Sequence, residues 1–191
     1  MLRSAFVACV QFAPHISARA VPIITMDFES LRVDSEEQVI IHGESYSEDG
    51  FTLIVSCCEP VDGVQSTDFR TAGTLSPIYA GSTAMRAGTS NALIQLSASD
   101  GGVFNLLSID LAALPSTQLI GDELVPINTG LPQNVTFYGN RVGGTTVTQS
   151  VSHDDFLTLT TYQFHAFTLL TSVSWFQGAG DPYTHQFDMC G

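Results

Sequence analysis

Residues 168–191 read TLLTSVSWFQGAGDPYTHQFDMCG, and this stretch decides the fold class. Hydroxyl residues alternate with Val173 and Trp175, the period of two of a strand with one buried and one wet face. Gly178-Ala179-Gly180-Asp181-Pro182 then breaks the strand as a turn. A last short strand over residues 185–189 carries Asp188 one residue before Met189. A chain that closes on paired strands in this way reads as an all-β antiparallel sandwich.

The same grammar runs back through the chain. Residues 22–31 alternate Ile24, Met26 and Phe28 with Thr25, Asp27 and Glu29, which predicts a first strand. Residues 39–42 read as a short strand, and Ser47-Glu48-Asp49-Gly50 as a turn feeding an apolar strand over 51–57. Residues 58–76 read as a loop with Pro60, Gly63 and Gly73 as breakers. Residues 92–96 and 104–111 flank Ser99-Asp100-Gly101-Gly102 and predict a hairpin. Residues 114–131 read as irregular, and 135–140 with 145–151 as a second hairpin around Arg141-Val142-Gly143-Gly144. Segments 156–160, 163–166 and 170–175 follow. The sum is about ten strands at the spacing of a sandwich, with no amphipathic helix and no domain boundary after Val21.

Composition narrows the function classes. The chain has 191 residues, no lysine, six arginines and 19 acidic residues, for a net charge of −13. Nucleic acid and anionic membranes are held by clustered Lys and Arg, so both would be repelled, and nucleic acid is not expected as a partner. Anionic polysaccharides are disfavoured as well, unless divalent cations bridge the surfaces. The missing lysine removes Schiff-base chemistry.

Residues 1–20 differ from the remainder. A short basic start precedes the apolar run 5–10, Pro14 breaks it, and Ala18-Arg19-Ala20 offers a cleavage site. The segment reads as a signal peptide, with an N-terminal arm as the alternative, and 21–191 as a single domain. Cleavage leaves 4 arginines against 19 acids, a net charge of −15. No later stretch reaches the ~20 apolar residues of a spanning helix, so no transmembrane anchor is expected. Cys57, Cys58 and Cys190 remain. Adjacent strand residues face opposite ways, so one bridge to Cys190 or three free thiols are both compatible with the sequence. There is no Cys-x-x-Cys pair and hence no structural zinc signature.

Catalytic motifs are missing too. Neither Gly-x-Ser-x-Gly nor His-Glu-x-x-His occurs, and His153-Asp154-Asp155 reads as a polar hairpin tip. His165 reads as a strand residue that is solvated or satisfied. Sugar rings stack on aromatic faces. Trp175, the only tryptophan, lies in a strand of core character and is expected to pack; Tyr79 and Tyr183, in or near loops, are the expected glycan-binding residues.

Five ordered pieces carry a resemblance: ITMDFESL (24–31), YSEDGFTLIV (46–55), ASDGGVFNLLSIDLAAL (98–114), NVTFYGNRVGGTTVTQ (134–149) and LTSVSWFQGAGDPYTHQFDM (170–189). Together they resemble the jelly-roll domain of exported bacterial proteins that often carry a PEP-CTERM sorting tail. The chain ends two residues after Met189 without a Pro-Glu-Pro motif, so sorting by such a tail is not implied. The resemblance implies an antiparallel jelly-roll β-sandwich, similar in fold to calcium-bearing carbohydrate-binding modules. It also implies that the first and last strands lie close, so that Asp27, Glu29 and Asp188 share a structural calcium ion with loop carbonyls. Glu48 and Asp49 are weaker ligand candidates. The expectation is a secreted or cell-surface, non-catalytic module that binds glycan or extracellular matrix material. The alternatives are a structural matrix protein, or a polysaccharide hydrolase or lyase acting through Asp154 and Asp155.

Overall fold

The computed structural model describes residues 23–37, 39–56, 68–76, 81–87, 92–113, 116–120, 123–127, 133–153, 159–176 and 187–190. Among them the regular structure is strand, apart from one 3-10 turn at Glu29–Leu31. The strands are β1 (Ile40–Gly43), β2 (Ser45–Glu48), β3 (Phe51–Ser56), β4 (Phe69–Thr71), β5 (Arg86–Ala87), β6 (Leu93–Ala98) and β7 (Ser108–Ala113). After these come β8 (Ser116–Ile120), β9 (Glu123–Ile127), β10 (Gln133–Arg141), β11 (Thr146–His153), β12 (Thr160–Gln163), β13 (Leu170–Phe176) and β14 (Phe187–Cys190). Every strand pair is antiparallel, and the all-β class is as expected.

A six-stranded sheet runs β11-β10-β13-β6-β3-β2. Two three-stranded sheets, β1-β4-β5 and β12-β7-β14, adjoin where β5 neighbours β14. The core packs the inner face of the large sheet (Leu53, Val55, Ile94, Val135, Phe137, Val173, Trp175) against Phe69, Met85 and Ala87 on one side and Leu111 on the other. Phe137 is its centre, meeting Phe164 edge-on at 5.1 Å and Trp175 at 5.3 Å between ring centroids. Such pairs add roughly 0.5–1.5 kcal/mol beyond burial. Trp175 is 2% exposed, so its expected packing role holds.

Two local features shape the sheet. Asp49 (φ 48°) and Gly50 (φ 84°) form the two-residue reversal between β2 and β3, with both central residues left-handed as a tight hairpin turn requires. Gly139 sits mid-strand in β10, where an added Cβ would come within 2.9 Å of Leu170 Cδ2 and Val147 Cγ1.

Several sequence expectations are corrected. Residues 24–31 are not a strand: Phe28 takes a left-handed conformation (φ 57°), and the 3-10 turn follows. Its N–H donates to Glu48 Oε2 at 3.1 Å and its ring packs on Tyr46, so burial of Phe28 fixes a bend where alternation had suggested extension. The strands around residues 99–102 do not pair with each other, because β6 joins β3 and β13 while β7 joins β12 and β14. Residues 116–120 and 123–127 pair as strands β8 and β9 rather than forming irregular chain. The segment read as a loop at 58–76 contains β4, paired with β1 and β5. The hairpin of β10 and β11 is present as read.

Candidate functional site

The most distinctive surface is the outer face of the six-stranded sheet, which strand alternation builds directly. Core residues Val135, Phe137 and Gly139 point inward from β10, so Asn134, Thr136, Tyr138 and Asn140 point outward. By the same rule β11 presents Thr146, Thr148, Ser150 and Ser152, and β13 presents Ser172, Ser174 and Phe176. Leu93, Gln95 and Ser97 of β6, Thr52, Ile54 and Ser56 of β3, and Ser45 and Ser47 of β2 complete the face. None of these positions is charged, in a chain of net charge −13. Among the described residues the acids sit elsewhere, most of them on the segment 27–49, with Asp110 on β7, Glu123 on β9 and Asp188 on β14.

Register lines these residues into rows. Thr148, Tyr138, Ser174, Gln95, Ile54 and Ser45 are successive cross-strand partners and span all six strands. At the usual strand separation that row is roughly 24 Å long. Tyr138, Ile54 and Phe176 are 40%, 45% and 42% exposed and supply apolar surface. Phe176 lies two residues beyond Ser174, the partner of Tyr138, so the two rings are diagonal neighbours.

The flanking rows are tied internally. Thr136 and Ser150 hydroxyls meet at 2.7 Å, Thr52 meets Ser47 at 2.9 Å and Ser99 at 2.7 Å, and Asn140 Nδ2 donates to Ser172 Oγ at 3.1 Å. In the central row, the polar side-chain groups of Thr148, Tyr138, Ser174 and Gln95 make no hydrogen bond among the described residues. The arrangement is therefore a braced frame around a line of free hydroxyl and amide groups with two aromatic rings beside it. It can bind a ligand that offers hydroxyls and apolar C–H faces.

The residues singled out from sequence fall elsewhere. Tyr79 and Tyr183 lie outside the described residues, as do Asp154 and Asp155. Asp188 lies on β14 opposite Ala112, and its side chain is likewise outside them. Asp27 precedes the 3-10 turn that Glu29 opens, and its Oδ1 accepts the Glu29 N–H at 3.0 Å. Glu29 Oε1 accepts the Ser82 hydroxyl at 2.9 Å and the Thr83 N–H at 3.1 Å, while Oε2 lies 3.8 Å from Arg32 Nη1. The Thr83 N–H, then the Ser82 hydroxyl, hold this carboxyl below its ordinary range. Glu29 thus staples residues 82–83 to the turn. Among the described residues no three His, Cys, Asp or Glu side chains converge as a metal site. Glu48 anchors Phe28, and Asp49 sits in the hairpin turn.

His153 is not at a polar tip: it is 4% exposed at the end of β11, with Nδ1 2.9 Å from the Tyr162 hydroxyl. His165 is exposed in a bend. The uncharged face was readable in principle from the odd–even pattern of Thr136–Tyr138–Asn140 and Thr146–Thr148–Ser150. What sequence alone did not supply was the order of strands that sets those patterns side by side. Compared with known proteins, the chain matches no family model and no curated sequence.

Proposed function

We propose that this protein is a non-catalytic jelly-roll β-sandwich that binds uncharged glycan along the outer face of its six-stranded sheet. The nesting of strand pairs supports the jelly roll: β10 with β11, β7 with β12, β6 with β13, and β5 beside β14 enclose one another in order. Wound up, these give the two four-strand runs of such a fold, β6-β13-β10-β11 and β5-β14-β7-β12. The observation that carries the glycan reading is the charge-free row across six strands, whose central hydroxyl and amide groups lack internal partners beside Tyr138 and Phe176. A neutral sugar chain matches both components, hydrogen-bonding at its edges and stacking C–H faces on rings. A polyanionic chain would meet a protein of net charge −13.

Export to the cell exterior belongs to this reading, since polysaccharide is met there. So does a structural calcium ion on Asp27, Glu29 and Asp188; Glu29 would contribute Oε2, in competition with Arg32, because Oε1 already takes two donors. Isothermal titration with soluble neutral and uronate-rich polysaccharides tests the function. Binding to a neutral polymer is expected, weakened at least tenfold by Tyr138→Ala or Phe176→Ala with the melting temperature held. Binding that survives both changes would overturn the assignment of the face. No binding to any neutral glycan would overturn the function.

A further inference from the structure

Among the described residues, the long edge of the six-stranded sheet lacks the shortness, charge, proline and bulge that keep sheet edges apart. Natural edges are blunted by shortness, charge, proline or a bulge. β11 has eight residues, TVTQSVSH, with no charge and no proline. Its ladder to β10 runs through eight consecutive pairs, from Gln133↔His153 to Asn140↔Thr146, without a bulge. The opposite edge, β2, has four residues, includes Glu48 and is flanked by Glu44 and Asp49.

Hydrogen-bond parity shows which backbone groups β11 leaves open. The Arg141 N–H donates to the Thr145 carbonyl at 2.8 Å, so the 141–145 pair is of the bonded kind. Alternation then turns the N–H and C=O of Thr146, Thr148, Ser150 and Ser152 away from β10. The Tyr162 hydroxyl reaches the Ser152 carbonyl from outside at 2.9 Å, which agrees with that parity. Among the described residues no other strand pairs with this edge. Thr146, Thr148 and Ser150 therefore present three residues of open ladder, and their side chains are exposed.

We propose that β11 pairs with β11 of a second copy, antiparallel about a two-fold axis through Thr148. In that register Thr148 faces Thr148 and Thr146 faces Ser150, so the same three residues satisfy one another on both chains. A second copy fits better than a foreign strand for two reasons. The segment is self-complementary, hydroxyl against hydroxyl. It is also a charge-free line along which two bodies of net charge −13 can meet without opposing carboxylates. The axis stands perpendicular to the sheet, so the two uncharged outer faces join on one side as a twelve-stranded surface. The inference does not depend on what that surface binds.

Sedimentation velocity of the full chain over a concentration series, with amide hydrogen exchange at its two ends, tests it. The expected result is a shift from monomer toward dimer, with slower exchange at Thr146, Thr148 and Ser150 as concentration rises. Thr148→Lys sets like charges against each other on the axis and should hold the protein monomeric with an unchanged melting temperature. Thr148→Pro is the second variant: the N–H it removes points away from β10, so the internal ladder survives while the dimer is lost. A wild-type protein monomeric throughout, or a dimer that persists in both variants, would overturn the proposal.

Discussion

The Tyr162 hydroxyl lies 2.9 Å from His153 Nδ1 and 2.9 Å from the Ser152 carbonyl oxygen, joining the edges of two sheets through one phenol. A phenol has a single proton and a carbonyl can only accept, so the proton goes to Ser152. Nδ1 of His153 must then be the donor to the phenol oxygen. The ring orientation is fixed, and Nε2, which is buried, has no hydrogen-bond partner.

Tyr162→Phe should therefore leave Nδ1 of the buried His153 unpartnered, while the carbonyl of the exposed Ser152 turns to solvent. The expected loss is about 1–3 kcal/mol of unfolding free energy, the usual cost of stranding buried polar groups. Urea denaturation measures it. In the native protein, nitrogen-15 spectra of His153 should show the proton on Nδ1; a proton confined to Nε2 would contradict the network.

Gly139 gives a second prediction. The core closes over β10 so tightly that a Cβ there meets Leu170, Val147 and Phe167 side chains at 2.9 to 3.0 Å. These atoms belong to a packed interior, so they yield only by disturbing neighbours. Gly139→Ala should cost about 1–3 kcal/mol as overpacking, despite the better strand propensity of alanine. A melting temperature equal to wild type would mean that the three side chains repack freely.

What the sequence made legible follows from how local each cause is. Alternation in 135–140, 145–151 and 170–175 is a property of single strands, and β10, β11 and β13 form as read. The alternation in 24–31 is mimicry: Phe28 is buried because Glu48, twenty residues away, takes its N–H and Tyr46 takes its ring, and the chain bends to allow both. Residues 114–131 read as irregular, yet the two-stranded pairing of β8 with β9 tolerates Pro126 where no described neighbour needs its N–H. The uncharged face is not legible in the sequence for a different reason. Thr148, Ser174, Gln95 and Ser45 are unremarkable one at a time, and only long-range pairing, such as that of Gln95 with Ser174, makes them a row.

Two groups should give stability a stepwise dependence on acidity. Burial lowers the affinity of His42 for a proton below the usual value near 6.5. The unfolded chain then binds the proton first, so stability should begin to fall as pH drops below that value and stop falling once folded His42 is protonated too. His42→Gln should flatten that window, provided Thr71, whose hydroxyl lies 2.7 Å from His42 Nε2, keeps its partner.

The Glu29 carboxyl titrates below its ordinary 4.5, chiefly through the Thr83 N–H and the Ser82 hydroxyl. Its contribution is complete above that value and is lost as pH falls through the folded one. Glu29→Gln should remove this second, more acidic step and leave the His42 window in place. Thermal melts from pH 7 to pH 3 resolve the two; a Glu29→Gln protein with an unchanged acid limb would remove Glu29 as its source.

Leu169 offers a stabilising change. It is left-handed (φ 54°) and 63% exposed, an uncommon combination for a residue with a branched side chain. The conformation is imposed from both sides: its N–H donates to Asn105 Oδ1 at 2.8 Å, and its carbonyl takes the Val142 N–H at 2.9 Å. The left-handed backbone costs an L-residue roughly 1–2 kcal/mol, and glycine gives back part of that gain through the greater entropy of its unfolded chain. Leu169→Gly should therefore raise stability by about 0.5–1 kcal/mol, whereas exposed substitutions elsewhere usually stay within about 0.5 either way. Leu169→Asn should gain less, since asparagine tolerates the region without being free in it. Asn105→Ala is the companion measurement. It removes the acceptor that holds the turn, so it should destabilise the wild type by about 1 kcal/mol. If Leu169→Gly lowers the unfolding free energy instead, the exposed leucine is making a contact worth more than its strain.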